Sequence, residues 1–249
     1  MNTVKLKSEG IDVLFLQKRL GIVADGKFGA KTEEAVKKYQ KEKGLVSDGI
    51  VGNKTWATFD VPTITEQDYK DAANILGCDV AAIKAVKSVE TSGKGFIDLI
   101  RPSILFEGHV FYKNITNASY YALRYPNICY KTWNKSKYKG GNGEYDRLSQ
   151  AWSINSTAAL KSASIGLFQI MGGNYKACGC GSVQEMWANA CMGEREQLLQ
   201  FCNFLKNNGI SVYLKKHDWV MFAKKYNGAG YAQNKYDTKL KAAYEKYSK

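Results

Sequence analysis

Two stretches of this chain are near copies of one another. Asp25-Gly26-Lys27-Phe28-Gly29-Ala30-Lys31-Thr32 recurs 23 residues later as Asp48-Gly49-Ile50-Val51-Gly52-Asn53-Lys54-Thr55. Each copy carries a D-G turn, an apolar residue, a second glycine and a threonine placed to cap a following helix. Turn chemistry of this kind breaks helices, so the copies divide the first 60 residues into short helical pieces. Between them, the helix expected over 32–43 has Ala35, Val36 and Tyr39 on one face. Ahead of the first copy, Val13, Leu14, Leu16 and Leu20 form another apolar stripe, with Gln17 beside it. A third helix begins over 55–59. Residues 1–60 thus read as a compact three-helix unit.

Val61-Pro62-Thr63 marks a linker over 61–65, and residues 66–249 form a second domain. Thr65 and Asp68 have capping-box spacing for a helix running to Leu76, where Gly77 stops it. Asp79 is an N-cap for a helix from Val80. Along that helix Ala82, Ile83, Val86 and Val89 line one face, and Glu90 continues it to a stop at Gly93. A carboxyl on an apolar stripe at a helix end is expected to be desolvated and held protonated, the state a glycosidase general acid requires.

The apolar run from Ser103 to Phe111, bounded by Pro102, reads as a strand or hairpin. Glu107 lies inside it, costly there unless paired or functional. Residues 114–146 are polar and read as loop. Helical signals return over 147–159, 194–205, 218–226 and 232–247, and Ser182 with Glu185 forms another capping box. The fold class is mainly α with one small β element.

The net charge of +13 implies an anionic partner. Residues 1–60 carry 11 basic and 8 acidic side chains, a net +3, and the remaining +10 falls beyond them. No basic tail or zinc-finger spacing points to nucleic acid, and no stretch approaches the 18 apolar residues of a membrane span. The amino terminus has no apolar signal core, so synthesis in a cytoplasm is expected, with the six cysteines as free thiols. Cys178 and Cys180 form a weak metal signal. With only two histidines, His109 and His217, no metal site or cofactor is expected.

The pattern L-Q-x-x-L, D-G-x-F-G-x-x-T, A-V-x-x-Y-Q, G-L-x-x-D-G-x-V-G-x-x-T-W over residues 16–56 resembles the peptidoglycan-binding module of phage and bacterial cell-wall enzymes. The resemblance implies a non-catalytic part that holds peptidoglycan, with Asp25, Phe28, Tyr39 and Trp56 as candidate contacts. Beyond residue 65, three pieces stand in the order of the lysozyme-like superfamily: Glu90 with its helix end, the segment 164–171, and 222–228. They resemble still more the N-acetylmuramidase domain of modular phage endolysins, whose R-P-x-I-L-F-E-x-H-x-F appears at 101–111 and whose Y-N-G-x-G-Y-x-x-N-x-Y-D-x-K-L appears at 226–240. Thr91 stands where the pattern has serine, and a short insertion lies around 98–100.

The resemblance implies an endolysin cutting the β-1,4 bond between N-acetylmuramic acid and N-acetylglucosamine. It assigns the general acid to Glu90, in agreement with the helix reading. The second carboxylate is Glu107, with Asp98 the alternative. Ser164, Gln169, Tyr226 and Asn227 are expected to line the cleft and bind substrate. It also implies a monomer, made without a signal peptide, that reaches the periplasmic wall once a holin releases it. The rival readings are a lytic transglycosylase giving 1,6-anhydro products, a Cys-His peptidase, and a wall-binding virion protein without catalysis.

Overall fold

The computed structural model describes residues 1–90, 94–228 and 232–249, the side chain of Glu90 excepted. The sequence readings on the Glu90 side chain, Thr91, Gly93, Gly230 and Tyr231 lie outside the described residues.

The amino-terminal unit has three helices, α1 (Ile11–Arg19), α2 (Ala30–Glu42) and α3 (Asn53–Trp56). Its first residues close it: Val4 bridges Val51, and Trp56 Nε1 donates to Asn2 O at 3.0 Å. The repeat is built around a buried glutamine that precedes each D-G turn by eight residues. Gln17 Nε2 lies 2.8 Å from Asp25 Oδ1, 3.0 Å from Lys27 O and 3.0 Å from Thr32 Oγ1, while Gly26 N–H donates to Gln17 Oε1 at 2.8 Å. Gln40 repeats the set on Asp48 (2.9 Å), Ile50 (3.0 Å), Thr55 (3.2 Å) and Gly49 (2.9 Å). Gly26 and Gly49 sit at φ +75° and +76°, the left-handed conformation that their turns require. The threonines therefore do not cap. Gly29 and Gly52 occupy the N-cap positions, and the hydroxyls serve the glutamine brackets instead.

Helix α1 is buried at every position from Ile11 to Gln17, so both of its faces are covered. One face completes the three-helix core. The other meets the rest of the chain, where the Phe15 ring stacks on Trp187 at 6.5 Å and meets Tyr145 edge-on. Arg19 closes the seam, donating to Cys191 O, Met192 O and Asp60 O. The segment after Phe59 has no regular structure, but Glu194 N–H fastens Pro62 O to it at 3.0 Å.

Beyond it run α4 (Glu66–Leu76), α5 (Val80–Glu90), β1 (Ile104–Phe106), α6 (Gly108–Asn114), α7 (Ala118–Arg124), α8 (Asn142–Ile154) and α9 (Ser156–Lys161). Then come β2 (Ala163–Ile165), β3 (Ile170–Met171), α10 (Val183–Ala190), α11 (Glu194–Asn207), α12 (Ser211–Lys215), α13 (Trp219–Asn227) and α14 (Tyr236–Tyr247). The three strands make one antiparallel sheet in the order β1-β2-β3. The chain is mainly α, as the helical periodicities imply. The Thr65–Asp68 capping box forms as read.

Further readings need correction. The strand expected over 103–111 ends at Phe106, and Glu107 becomes the N-cap position of α6. The polar segment 114–146 contains α7 and the start of α8. The helix read over 147–159 breaks at Asn155, whose side chain accepts from Ala158 N–H and starts α9. The last helix begins at Tyr236 rather than residue 232.

The seam generates two expectations. Phe15→Ala removes a ring with no solvent exposure and is expected to cost about 3–5 kcal/mol, read as a lower urea midpoint. Asp12 lies in the same seam. Burial raises its carboxyl above the usual carboxylate range, against the pull of Arg101, and its Oδ1 has no hydrogen-bond partner among the described residues. A carboxyl raised on folding stabilises the fold below its unfolded value and loses that contribution as pH rises through the folded one. Asp12→Asn does not ionise, so its stability relative to the parent is expected to rise as pH climbs above about 4, the ordinary aspartate value, measured as urea midpoints against pH.

Candidate active site

Helix α5 is held at its amino end. Asp79 accepts from Ala82 N–H at 2.7 Å, and its other oxygen meets His217 Nε2 at 2.7 Å and Tyr244 Oη at 3.1 Å. Ala82, Ile83 and Val86 are fully buried, and α4 and α14 pack along the helix. This fixes the axis that delivers Glu90 at its carboxyl end.

The chain re-emerges at Lys94 and is pinned at once. Ser103 N–H donates to Gly95 O at 2.9 Å and Ser103 Oγ to Lys94 O at 2.6 Å. Gln197 on α11 binds across this junction. Its Oε1 accepts from Leu167 N–H at 2.7 Å, and its Nε2 reaches Ala190 O at 2.9 Å and Gly95 O at 3.4 Å. One buried amide therefore ties the segment at Gly95 to the β2–β3 turn.

Strand β2 and that turn hold two of the expected cleft residues. Ser164 Oγ donates to Gln169 Oε1 at 2.8 Å. Gln169, at φ +48°, donates from Nε2 to Gly166 O at 2.8 Å and Ser103 O at 3.1 Å. Tyr226 on α13 joins them, its hydroxyl donating to Phe168 O at 2.9 Å. Asn227 follows, half-buried, as the last residue of α13. The segment from Lys94, the turn 166–169 and the end of α13 thus meet in one place, although they lie far apart in sequence.

Glu107 stands at the opposite end of β1. Its N–H extends the ladder by donating to Ser162 O at 2.8 Å. Tyr138 Oη lies 2.8 Å from both carboxylate oxygens and accepts from Trp133 Nε1 at 2.8 Å. Burial, and then the hydrogen bond to Glu107, push the Tyr138 phenol up to about 12. It remains a donor at neutral pH. His109 Nδ1 is 3.2 Å from Glu107 Oε2 without hydrogen-bond geometry. Asp98 is engaged otherwise: Oδ1 accepts from Arg101 N–H at 2.8 Å and Oδ2 pairs with Arg101 Nε at 2.7 Å. Its carboxylate folds the turn before β1.

A charge pair hidden from sequence reading supports the Glu107 corner. Glu144 has no solvent exposure. It accepts from Arg147 Nη1 at 2.7 Å, Phe106 N–H at 3.1 Å, Lys139 N–H at 2.6 Å and Gly140 N–H at 3.1 Å. Arg147 also donates to Phe106 O at 2.9 Å and Tyr130 Oη at 3.1 Å. The pair clamps the end of β1 to the loop that carries Tyr138. In sequence, Glu144 falls in the polar segment read as loop and Arg147 opens the helix read after it, so the pair is not visible.

The candidate contacts of the amino-terminal unit separate. Phe28 and Trp56 are core residues, 2% and 4% exposed. Tyr39 stacks on Phe59 at 4.8 Å. Asp25 alone of the four is exposed. Burial raises the thiols of all six cysteines, four of them (Cys78, Cys178, Cys191 and Cys202) to about 12. A cysteine nucleophile needs the opposite shift, which argues against the Cys-His peptidase reading.

Residues 79–248 match the family model described as N-acetylmuramidase. The chain belongs to the N-acetylmuramidase family. Ahead of the muramidase match, residues 9–59 match a putative peptidoglycan binding domain. Among solved structures the chain is similar to the Burkholderia AP3 phage endolysin, at 37% identity and a TM-score of 0.71 over 99% of both chains. No curated protein matches it. This muramidase therefore has the modular architecture of a phage endolysin and a mainly α, lysozyme-like fold.

The clamp at Glu144 generates a test. Glu144→Ala strands a buried guanidinium and three backbone N–H groups, so it is expected to cost about 3–5 kcal/mol. For a chain of this size that is a fall in melting temperature of roughly 6–20 °C, measured by calorimetry.

Proposed function

We propose that the chain is an endolysin that hydrolyses the β-1,4 bond between N-acetylmuramic acid and N-acetylglucosamine. The observation that carries this reading is the 37% identity to a phage endolysin over 99% of both chains. Residues 1–60 are the wall-binding part, 61–65 the connection and 66–249 the catalytic domain. Glu90 is the general acid that protonates the glycosidic oxygen. Glu107 is the second carboxylate, which activates water or stabilises the oxocarbenium-like state. The hydrogen bond from a neutral Tyr138 supports that assignment, because it orients the carboxylate without neutralising it. Asp98 is the weaker candidate, since Arg101 already engages it.

Ser164, Gln169, Tyr226 and Asn227 border the cleft. Gln169 is exposed at the turn and is the best placed of them to meet a sugar amide. The partner is anionic peptidoglycan, which suits the net charge of +13, and the protein acts as a monomer. No described helix is long and apolar enough to cross a membrane. Release to the wall through a holin completes the endolysin reading.

Turbidity loss and muropeptide mass spectrometry on purified peptidoglycan test it, comparing the parent with Glu90→Gln and Glu107→Gln. Reducing-end muramic acid fragments are expected from the parent. Each substitution is expected to cut turnover by about 100-fold or more, the size of a general acid–base contribution. Anhydro products would replace hydrolysis with lytic transglycosylation and remove the role of Glu107. Absence of any release would make the chain a wall-binding protein only.

A further inference from the structure

The 23-residue repeat builds two pockets as well as two turns. One, of about 580 Å3, is lined by Gln17, Asp25 and Thr32 together with Val23 and Lys31. The other, of about 260 Å3, is lined by Gln40, Asp48 and Thr55 together with Val46 and Lys54. Adding 23 to each number of the first set gives the second. The glutamine brackets described above form a wall of each, with matched hydrogen bonds. The valines are 83% and 80% exposed, so neither contributes to the core. Both lysines are exposed as well. Two apolar side chains held in water at equivalent positions, each beside a cation and a carboxylate, have no packing explanation.

We propose that these are two equivalent binding sites, each taking one peptide stem of peptidoglycan, so that the unit grips the wall at two points. This rests on the reading of residues 1–60 as the wall-binding part. The chemistry of the lining favours the stem over the glycan. Lys31 and Lys54 offer a cation to a stem carboxylate, Asp25 and Asp48 offer an anion to its amine, and the valines offer a surface to its alanine methyl groups. Neither pocket has an aromatic face for a sugar ring to stack on. The sites differ at one informative position. Lys27 lines the first pocket where Ile50 lines the second. The first therefore carries a second cation and binds the anionic stem more tightly, with a stronger dependence on salt.

The test uses the full chain with labelled valine methyls, titrated with a synthetic Ala-Glu-diaminopimelate tripeptide. The Val23 and Val46 resonances are expected to move saturably. Lys31→Glu is expected to abolish the movement at Val23 alone and Lys54→Glu that at Val46 alone, with melting temperatures unchanged. Val23→Ser and Val46→Ser provide a second pair, read on the opposite pocket and on sedimentation. Sedimentation with sacculi on ice then reads bivalency: each single variant is expected to weaken binding by about 100-fold or more, and the double variant to abolish it. Resonances that stay fixed, or equal sedimentation with sacculi stripped of peptide, overturn the pocket inference while leaving wall binding intact. A parent chain that fails to sediment at all overturns the wall-binding reading itself.

Discussion

Helix α1 has no exposed face over its first seven residues, and the arrangement of the whole chain follows from that. A helix of an isolated three-helix unit normally buries one stripe and leaves the other in water. Here the second stripe is apolar too, and Phe15, stacked on Trp187, belongs to the core of the larger part. Undocking the unit would expose that surface at roughly 25 cal/mol for each Å2 and would strand Arg19 away from the carbonyls it serves. The two parts are thus joined by burial more than by the linker, and Pro62 is itself hydrogen-bonded in place.

Polar groups do a second kind of joining. Gln17, Gln40 and Gln197 are each nearly inaccessible, and each collects backbone groups that no helix or strand satisfies. A neutral amide suits this work because it has two donors and an acceptor and pays little desolvation compared with a charge. Where the chain uses a charge instead, at Glu144, it supplies Arg147 and three backbone N–H donors to the same carboxylate. The difference follows geometry: at Glu144 four donors converge on one point, which only a carboxylate can accept.

Features set by neighbours in sequence were legible in advance. The Thr65 capping box, the Asp79 cap and the D-G turns each depend on residues within a few positions, so pattern alone reads them. Gln17 and Gln40 also recur at the 23-residue offset, but nothing local shows that their amides take the hydroxyls of Thr32 and Thr55. The β run was overread because Val110 and Phe111 suit a strand. Yet the chain turns helical at Gly108, where a side chain would fall 2.3 Å from the Tyr130 ring. Helix α7 buries no residue, so it has no apolar period to detect. At the candidate site, Glu107 was visible as an acid in an apolar run. Tyr138 was not, because its contact to Glu107 spans 31 positions and depends on the Glu144 clamp.

The docked unit changes what binding can do for catalysis. A flexible tether raises the local concentration of a catalytic site over a volume set by its length, and the site then acts anywhere within reach. In this chain the seam at α1 leaves little such volume, and the glutamine brackets and the Glu107 corner keep a fixed relation through Phe15, Trp187 and Tyr145. Under the proposed function, a wall strand held by residues 1–60 meets the catalytic domain at one offset and one orientation. Binding energy spent on the wall then serves as positioning for the reaction, which is where such energy accelerates rather than only anchors. A charge of +10 beyond residue 60 complements this, because it draws the anionic polymer toward the larger part once the smaller one is seated.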